Sequence, residues 1–381
     1  MDYLARDTLA MRYYLIAGEA SGDLHGSNLI REIRERDSNA EIRCWGGDRM
    51  QAAGATLVKH YRDLAFMGFL EVAANIRTIL RNMRFCKRDM LEFAPDVVVF
   101  IDYPGFNIRM ATFAKRKGLR TVYYISPQVW AWKEGRVETL KRSTDRMLVI
   151  LPFEQAFYRE RGWEVDYVGH PLLREIEKRR TESALKSDPS ASNPPLVALL
   201  PGSRQQEVRL KLPIMLDVAG RFPGCRFVVA QAPGLEDAFI QSFLPHRSEV
   251  AIRKGDTYGL LLEADAALVT SGTATLETAL FDVPQVVCYK GSPLSYWIAK
   301  RLVKVKFISL VNLIMDREVV KELIQEELTA DRLARELEAI LQPDGAARIR
   351  ADYASLRALL GNGGDASQKA AECIVQIASG S

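Results

Sequence analysis

The chain has 381 residues, enough for two domains of ordinary size. With 48% hydrophobic and 26% charged residues it has a normal globular balance, which excludes a disordered or low-complexity protein. A formal net charge of +4 is too weak by itself to imply nucleic acid as a partner, so where the positive charge sits matters more than its sum.

The opening stretch MDYLARDTLAMRYYLIAGEASGD carries acidic residues and lacks a long apolar core, so it does not read as a signal peptide. The first apolar run, YYLIA (13–17), leads into AGEASGDLHG (17–26) and a helical pattern over 23–36. Gly18 and Gly22 permit a tight turn and close approach of a ligand to backbone, and Asp23 can cap the helix that follows. The spacing is not GxGxxG, so the dinucleotide fingerprint is absent. Glu19 and His25 either serve a site here or are simply solvated.

Residues 64–88, LAFMGFLEVAANIRTILRNMRFCKR, combine an apolar stripe (Phe69, Val72, Ile76, Leu80, Met83) with a neighbouring basic stripe (Arg77, Arg81, Arg84, Arg88). Such a helix can lie at an anionic membrane surface. The alternative is a core-packed helix with a solvated basic face. The run DVVVFID (96–102) places Asp102 at the carboxyl end of an apolar strand, followed by Tyr103, Pro104, Gly105, Phe106 and Asn107. A partly desolvated carboxylate there has its pKa raised toward general-base values, although it can equally cap the loop backbone. Further strands are expected at TVYYIS (121–126) and MLVIL (147–151).

Residues 179–195, RRTESALKSDPSASNPP, are polar and rich in Ser and Pro, a linker signal. Beyond them LVALLPG (196–202), FVVAQ (227–231), AALVTSG (266–272) and QVVCYKG (285–291) repeat the strand pattern, and 331–341 is helical. In LLPGSRQQE, Gly202 and Ser203 open a helix with backbone N–H groups suited to phosphate, and Arg204 adds a fork-shaped cation. In TSGTATLETAL, Ser271, Gly272 and Thr273 form a second such turn, and Glu277 lies about one turn into the helix, where it could accept ribose hydroxyls. A further basic cluster, Lys300, Arg301, Lys304 and Lys306, follows Tyr296 and Trp297 and suits headgroup level or an acceptor phosphate.

Some chemistries have no support. The four histidines, His25, His60, His170 and His246, form no HExxH or His–Cys cluster, and DxD and GxSxG are missing, so neither a protein-built metal site nor a cofactor is expected. The five cysteines share no CxxC spacing and read as reduced thiols of a cytoplasmic protein. No run reaches the roughly 18 apolar residues of a membrane span, so any membrane contact is expected to be peripheral.

Continuous Val/Ile/Leu runs alternating with helices predict an α/β protein with two Rossmann-like, doubly wound domains facing across a cleft, the GT-B architecture. The expected division is 1–180, 190–350, and C-terminal helices at 351–381 packing back on the first domain. Ligands of such sheets lie outside the carboxyl ends of the strands, where these loops fall.

The motifs together resemble the lipid-A-disaccharide synthase family. The matching stretches are AGEASGDLHG (17–26), CWGGDRMQAAG (44–54), IDYPGFN (101–107), SPQVWAWKEGR (126–136), LPFEQAFY (151–158) and VGHPL (168–172). LLPGSRQQE (199–207), SGTATLE (271–277), and AKRLVKVKFISLVNLI with VVKELIQEELT (299–329) complete them, covering nearly the whole chain. The resemblance implies an inverting, metal-independent glycosyltransferase, peripheral on the cytoplasmic side of the inner membrane. It would join UDP-2,3-diacylglucosamine to 2,3-diacylglucosamine 1-phosphate through a β-1,6 linkage and release UDP. It further implies Glu19 and Ser21 at the acceptor and donor sugars and Asp102 as the base, with Glu19 and His25 in reserve. Gly22, Gly202, Ser203, Arg204, Ser271, Gly272, Thr273, Glu277, Asn312 and Gln325 would bind substrate. Some family members carry an aspartate where this chain has Gly105. A UDP-N-acetylglucosamine transferase or 2-epimerase of the same architecture would share the UDP loops, and a non-catalytic lipid or nucleotide carrier would bind without releasing UDP. Monomer and homodimer are both compatible with the sequence.

Overall fold

The computed structural model describes residues 10–63, 76–132, 134–184, 194–244, 249–292 and 305–380. The chain divides into two compact units, Met1–Pro171 with Gly361–Ser381, and Leu172–Leu360.

The first unit is built on a parallel sheet of seven strands: β1 (Arg12–Ala17), β2 (Glu41–Gly46), β3 (Thr56–His60), β4 (Val97–Ile101), β5 (Arg120–Tyr124), β6 (Arg146–Val149) and β7 (Asp166–Tyr167). Their spatial order is β3-β2-β1-β4-β5-β6-β7. Alternate residues of β1 enter different cores. Tyr13, Leu15 and Ala17 pack with the helices Ala20–Arg36 and Ala366–Ser379, whereas Tyr14 and Ile16 pack with Cys86, Met90, Phe106 and Met110. Both sheet faces are therefore covered, and this explains why the strands are continuous apolar runs without a polar alternation.

The second unit carries a parallel sheet of six strands: β8 (Leu196–Leu200), β9 (Arg226–Gln231), β10 (Ala251–Lys254), β11 (Ala266–Thr270), β12 (Gln285–Tyr289) and β13 (Lys321–Ile324). The order is β10-β9-β8-β11-β12-β13. Strand order reverses between β1 and β4 in the first unit and between β8 and β11 in the second. In doubly wound sheets the crevice at that reversal is the ligand site, because neighbouring loops diverge there to opposite faces.

The boundaries differ from those expected. The first unit ends at Pro171, and residues 179–184 of the expected linker are the end of the helix Leu172–Ala184. Of the C-terminal helices, only Ala366–Ser379 packs on the first unit. The Arg120 guanidinium holds its last carbonyls, Ile377 O at 2.8 Å and Ala378 O at 2.6 Å. The preceding helix, Pro343–Gly361, belongs to the second unit, where Tyr353 is buried and its hydroxyl accepts a bond from Gln285 at 3.1 Å.

Candidate active site

The reversal point of the first sheet brings together the loop after β1, which holds Glu19, and the loop after β4, which holds Asp102. Asp102 and Tyr103 both adopt left-handed backbone, with φ of 45° and 49°. Ile125, just past β5, has φ of 65°. Left-handed backbone is strained for non-glycine residues and most of all for a β-branched one, so its concentration at one sheet edge marks a place where geometry outweighs local comfort. Asn107 holds it there. Its fully buried amide donates to Ile16 O (3.2 Å), Ile101 O (3.2 Å) and Asp102 O (2.8 Å), tying the ends of β1 and β4 together. The Tyr123 hydroxyl donates to the same Asp102 carbonyl at 2.7 Å. The Tyr103 ring lies flat against Gly18, so any Cβ at position 18 would overlap it. Burial, reinforced by the nearby Glu19 carboxylate, pushes the Asp102 carboxyl up to about 6, against the opposing bond from the Tyr103 N–H. Gly105 is exposed with open space at its Cβ position.

In the loop after β1, Glu19 is half-buried and occupies the N-cap of the helix Ala20–Arg36 without capping it through its side chain. Ser21 is exposed on the first turn and Gly22 is buried against Ala17. Asp23 does not cap its own helix. It accepts bonds from the backbone N–H groups of Gly47 (2.8 Å), Arg49 (3.2 Å) and Met50 (3.0 Å), so it caps the distant helix Asp48–Ala52. Burial lowers the His25 imidazole to about 4, and burial with His25 as neighbour lowers His170 to about 3. Both are neutral near pH 7, and an imidazole this weakly basic is a poorer proton acceptor than Asp102.

A second buried acid lies beyond β6. Glu154, in the first turn of the helix Pro152–Arg159, accepts bonds from Leu151 N (2.9 Å), Ile150 N (3.2 Å) and Trp130 Nε1 (3.2 Å). Burial pushes it up to about 7 despite those bonds. Ser126 and Tyr158 complete the cluster, their hydroxyls 2.6 Å apart. The motifs SPQVWAWKEGR and LPFEQAFY contain these residues, but nothing in their spacing shows that they converge.

At the reversal point of the second sheet, the loops after β8 and β11 leave adjacent strands. Gly202 (φ 122°) and Gly272 (φ 137°) take backbone that only glycine adopts readily. A Cβ on Gly202 would also collide with the Glu207 carboxylate, which accepts from Ser203 N at 3.2 Å. Arg204 occupies the N-cap position of the helix Gln205–Ala219 without a side-chain capping bond and is exposed, with a long contact to Glu207 at 3.4 Å. Ser271 is half-buried and donates to Ile308 O (2.9 Å), while Gly272 and Thr273 are exposed at the start of the helix Thr273–Leu280. Glu277 accepts from the Tyr258 hydroxyl at 2.9 Å, and burial raises its pKa. Lys211, which the sequence did not single out, is buried beside this loop with its ammonium on Thr270 Oγ1.

Two expected ligand residues have other work. Asn312 is fully buried, donates to Val320 O (2.8 Å) and Glu322 Oε1 (2.9 Å), and accepts from Val319 N (2.8 Å) and Val320 N (3.0 Å). All four of its hydrogen-bonding capacities are used, so it shapes the backbone and does not line a site. Gln325 (φ 55°) is buried at the end of β13 and accepts from Gly291 N at 3.0 Å, bracing the loop after β12.

On the helix Ile76–Phe93 the core-facing residues are Asn82, Cys86, Asp89 and Met90. Asp89 is held by Tyr14 Oη (2.6 Å) and Arg43 (2.8 Å). Of the stripe expected to be apolar, Met83 packs against the core while Leu80 is 45% exposed, beside exposed Arg77, Arg81, Arg84 and Arg88. Phe66, Met67, Phe69 and Val72 lie outside the described residues, as do Tyr296, Trp297, Lys300, Arg301 and Lys304. Lys306 pairs with Asp316 at 2.8 Å. Among the described residues no helix is long and apolar enough to cross a membrane. No group of three or more His, Cys, Asp or Glu among them could hold a metal ion.

Known proteins can be set against this geometry. The glycosyltransferase of kitacinnamycin superimposes with a TM-score of 0.62 at 15% identity, covering 97% of this chain and 99% of its own. The UDP-GlcNAc 2-epimerase of Methanocaldococcus jannaschii, solved with UDP-GlcNAc and UDP, gives 0.63 at 11% identity, covering 96% and 99%. At these identities the likeness is one of fold, the two-domain GT-B class. Sequence relationships go further. The lipid-A-disaccharide synthase of Geobacter metallireducens is 40% identical over 376 residues, 96% of this chain and 97% of the relative. That of Syntrophus aciditrophicus is 40% identical over 371 residues, 95% and 97%. The family model of lipid-A-disaccharide synthetase matches residues 13–378, and so the chain belongs to the lipid-A-disaccharide synthetase family.

Proposed function

We propose that this chain, a disaccharide-forming hexosyltransferase by family, transfers 2,3-diacylglucosamine from its UDP derivative to the 6-hydroxyl of 2,3-diacylglucosamine 1-phosphate. The new bond joins the acceptor O6 to the anomeric carbon, the bond to the diphosphate breaks, and UDP leaves. The observation that carries this reading is the Asp102 carboxylate, strained, largely desolvated and beside Glu19 at the reversal point of the first sheet. A sugar hydroxyl is a very weak acid, so attack needs a positioned acceptor for its proton. With its pKa raised to about 6, Asp102 is mostly ionised at neutral pH yet more basic than an ordinary carboxylate. Glu19 and Ser21 contact the sugars, and Asn107 keeps the Asp102 backbone in its left-handed form.

The second unit holds the donor. Backbone N–H groups at 202, 204 and 271–273, together with the start of the helix Thr273–Leu280, offer hydrogen bonds and a positive dipole end to the diphosphate. Arg204 adds a charge-assisted fork, and the Glu277 carboxylate accepts from ribose hydroxyls while Tyr258 holds it in place. Charge on the departing UDP is offset by these groups, without a metal ion. The exposed basic face Arg77, Arg81, Arg84 and Arg88, with Leu80 uncovered among them, supports peripheral binding to the cytoplasmic face of the inner membrane, where both acylated substrates reside.

Incubation with both acylated sugars, followed by detection of UDP and the disaccharide, tests the reading, and EDTA should leave the rate unchanged. UDP bound without release would support a carrier, and epimerised UDP-sugar without transfer would support an epimerase. Either result overturns the proposal.

A further inference from the structure

Lys211 lies seven residues into the helix Gln205–Ala219 and is only 3% exposed. Its ammonium makes one hydrogen bond, to Thr270 Oγ1. Thr270 is the last residue of β11 and the one immediately before the Ser271-Gly272-Thr273 turn. None of the described carboxylates lies within ion-pair distance of the Lys211 ammonium. The nearest charged groups are Glu207, already engaged with Ser203 N at 3.2 Å and Arg204 at 3.4 Å, and Arg204 itself, which repels it. Cys288, the remaining neighbour, is a thiol pushed up to about 12 by burial and supplies no countercharge.

A buried ammonium supported by one neutral hydroxyl is costly, and lysine is rarely buried without an anionic partner. A helix needing only an apolar contact here would be served by leucine or methionine. The missing element is an anion, and the site is flanked by the two loops whose backbone N–H groups and Arg204 suit one. Resting on the donor-site reading given above, we infer that Lys211 is a buried cationic element of that site, held on Thr270 beside the turn at 271–273 to stabilise the diphosphate of the bound nucleotide and of departing UDP. Burial lowers the pKa of the unliganded lysine, and an adjacent diphosphate would raise it again.

The test is calorimetric titration of UDP into the full-length protein and Lys211→Met, with uridine binding followed by ligand-observed NMR. Methionine keeps length and apolar volume, so the variant should melt at or above the temperature of the unaltered protein. UDP should bind about ten- to a hundredfold more weakly, the range for a lost hydrogen bond to a charged group, while uridine is unaffected. A lysine with a purely structural role would not separate UDP from uridine in this way. UDP binding equal to that of the unaltered protein would overturn the inference and leave the donor site standing, whereas no UDP binding by the unaltered protein would overturn the donor-site reading itself. If Lys211→Met does not fold, titration of the unaltered protein in two buffers of different ionisation enthalpy decides the matter. UDP binding should take up protons as pH is raised toward the ordinary lysine range, and absence of uptake there contradicts the inference.

Discussion

The two sheets share one topology around their reversal points and put opposite chemistry there. Between β1 and β4 stand two carboxylates, Glu19 on extended backbone and Asp102 on strained, left-handed backbone. Between β8 and β11 stand glycine-hinged turns, an exposed arginine and a buried lysine. The comparison teaches that the doubly wound fold supplies a place, and the residues past each strand decide what that place can do. On the proposed reading the first accepts a proton and the second holds negative charge.

The strongest way to break this contrast is Asp102→Asn, which keeps shape and tolerates left-handed backbone. Loss of a general base should lower kcat by about 10²–10⁴-fold. The folded-state pKa of Asp102 lies above its ordinary value. Its contribution to stability therefore falls as pH rises from the ordinary carboxylate range through about 6, and the asparagine variant should melt at or above the unaltered protein at neutral pH. A kcat within a few-fold of the original would remove Asp102 from the chemistry.

Next in size is Arg204→Ala. An exposed arginine on the surface adds little to stability through its ion pairs, so melting should barely move. Loss of a charge-assisted donor to the leaving group should cost about 2–4 kcal/mol in kcat/KM. Near-normal kinetics would place the diphosphate elsewhere.

Replacing Arg77, Arg81, Arg84 and Arg88 by Gln tests a third region, outside both reversal points. Binding to anionic vesicles at low salt should weaken by on the order of 1 kcal/mol per charge, and the difference should shrink as salt is added. Catalysis on detergent-dispersed substrates should be spared. Unchanged vesicle binding would return this face to plain solvation.

The smallest effect sharpens the contrast. Burial is the larger cause of the raised Asp102 pKa and Glu19 the smaller, so Glu19→Gln should move the acidic limb of the kcat/KM profile to lower pH without abolishing it. A limb that stays in place would show that the two carboxylates do not sense one another.

Much of this organisation is visible in the sequence because most central strands are covered on both faces and read as apolar runs. The edge strands β3, β7, β10 and β13, and the interior strand β2, are harder to see. Their sequences TLVKH, DY, AIRK, KELI and EIRCWG break the apolar run with charged or polar residues, whereas β1, β5, β6 and β9 confine charge to an opening arginine. The site loops follow the legible strands and are legible with them. What escapes is long-range. Asp23 looks like a cap for its own helix, yet its partners are residues 47–50. Asn312 looks like a ligand and is a fully satisfied buried amide. Lys211 looks like a surface lysine in QQEVRLKLP, because only the fold brings Thr270 to it. Left-handed φ at Asp102, Tyr103 and Ile125 has no glycine to announce it.

The division of labour between the two reversal points is tested most directly by crossing two variants with two readouts, UDP affinity by calorimetry and the pH dependence of kcat. Asp102→Asn should bind UDP as the unaltered protein does and lose the acidic limb near pH 6. Arg204→Ala should bind UDP more weakly and keep that limb. If Asp102→Asn loses UDP affinity and retains the limb, the proton acceptor is another group, and the assignment of chemistry to the two sheets is wrong.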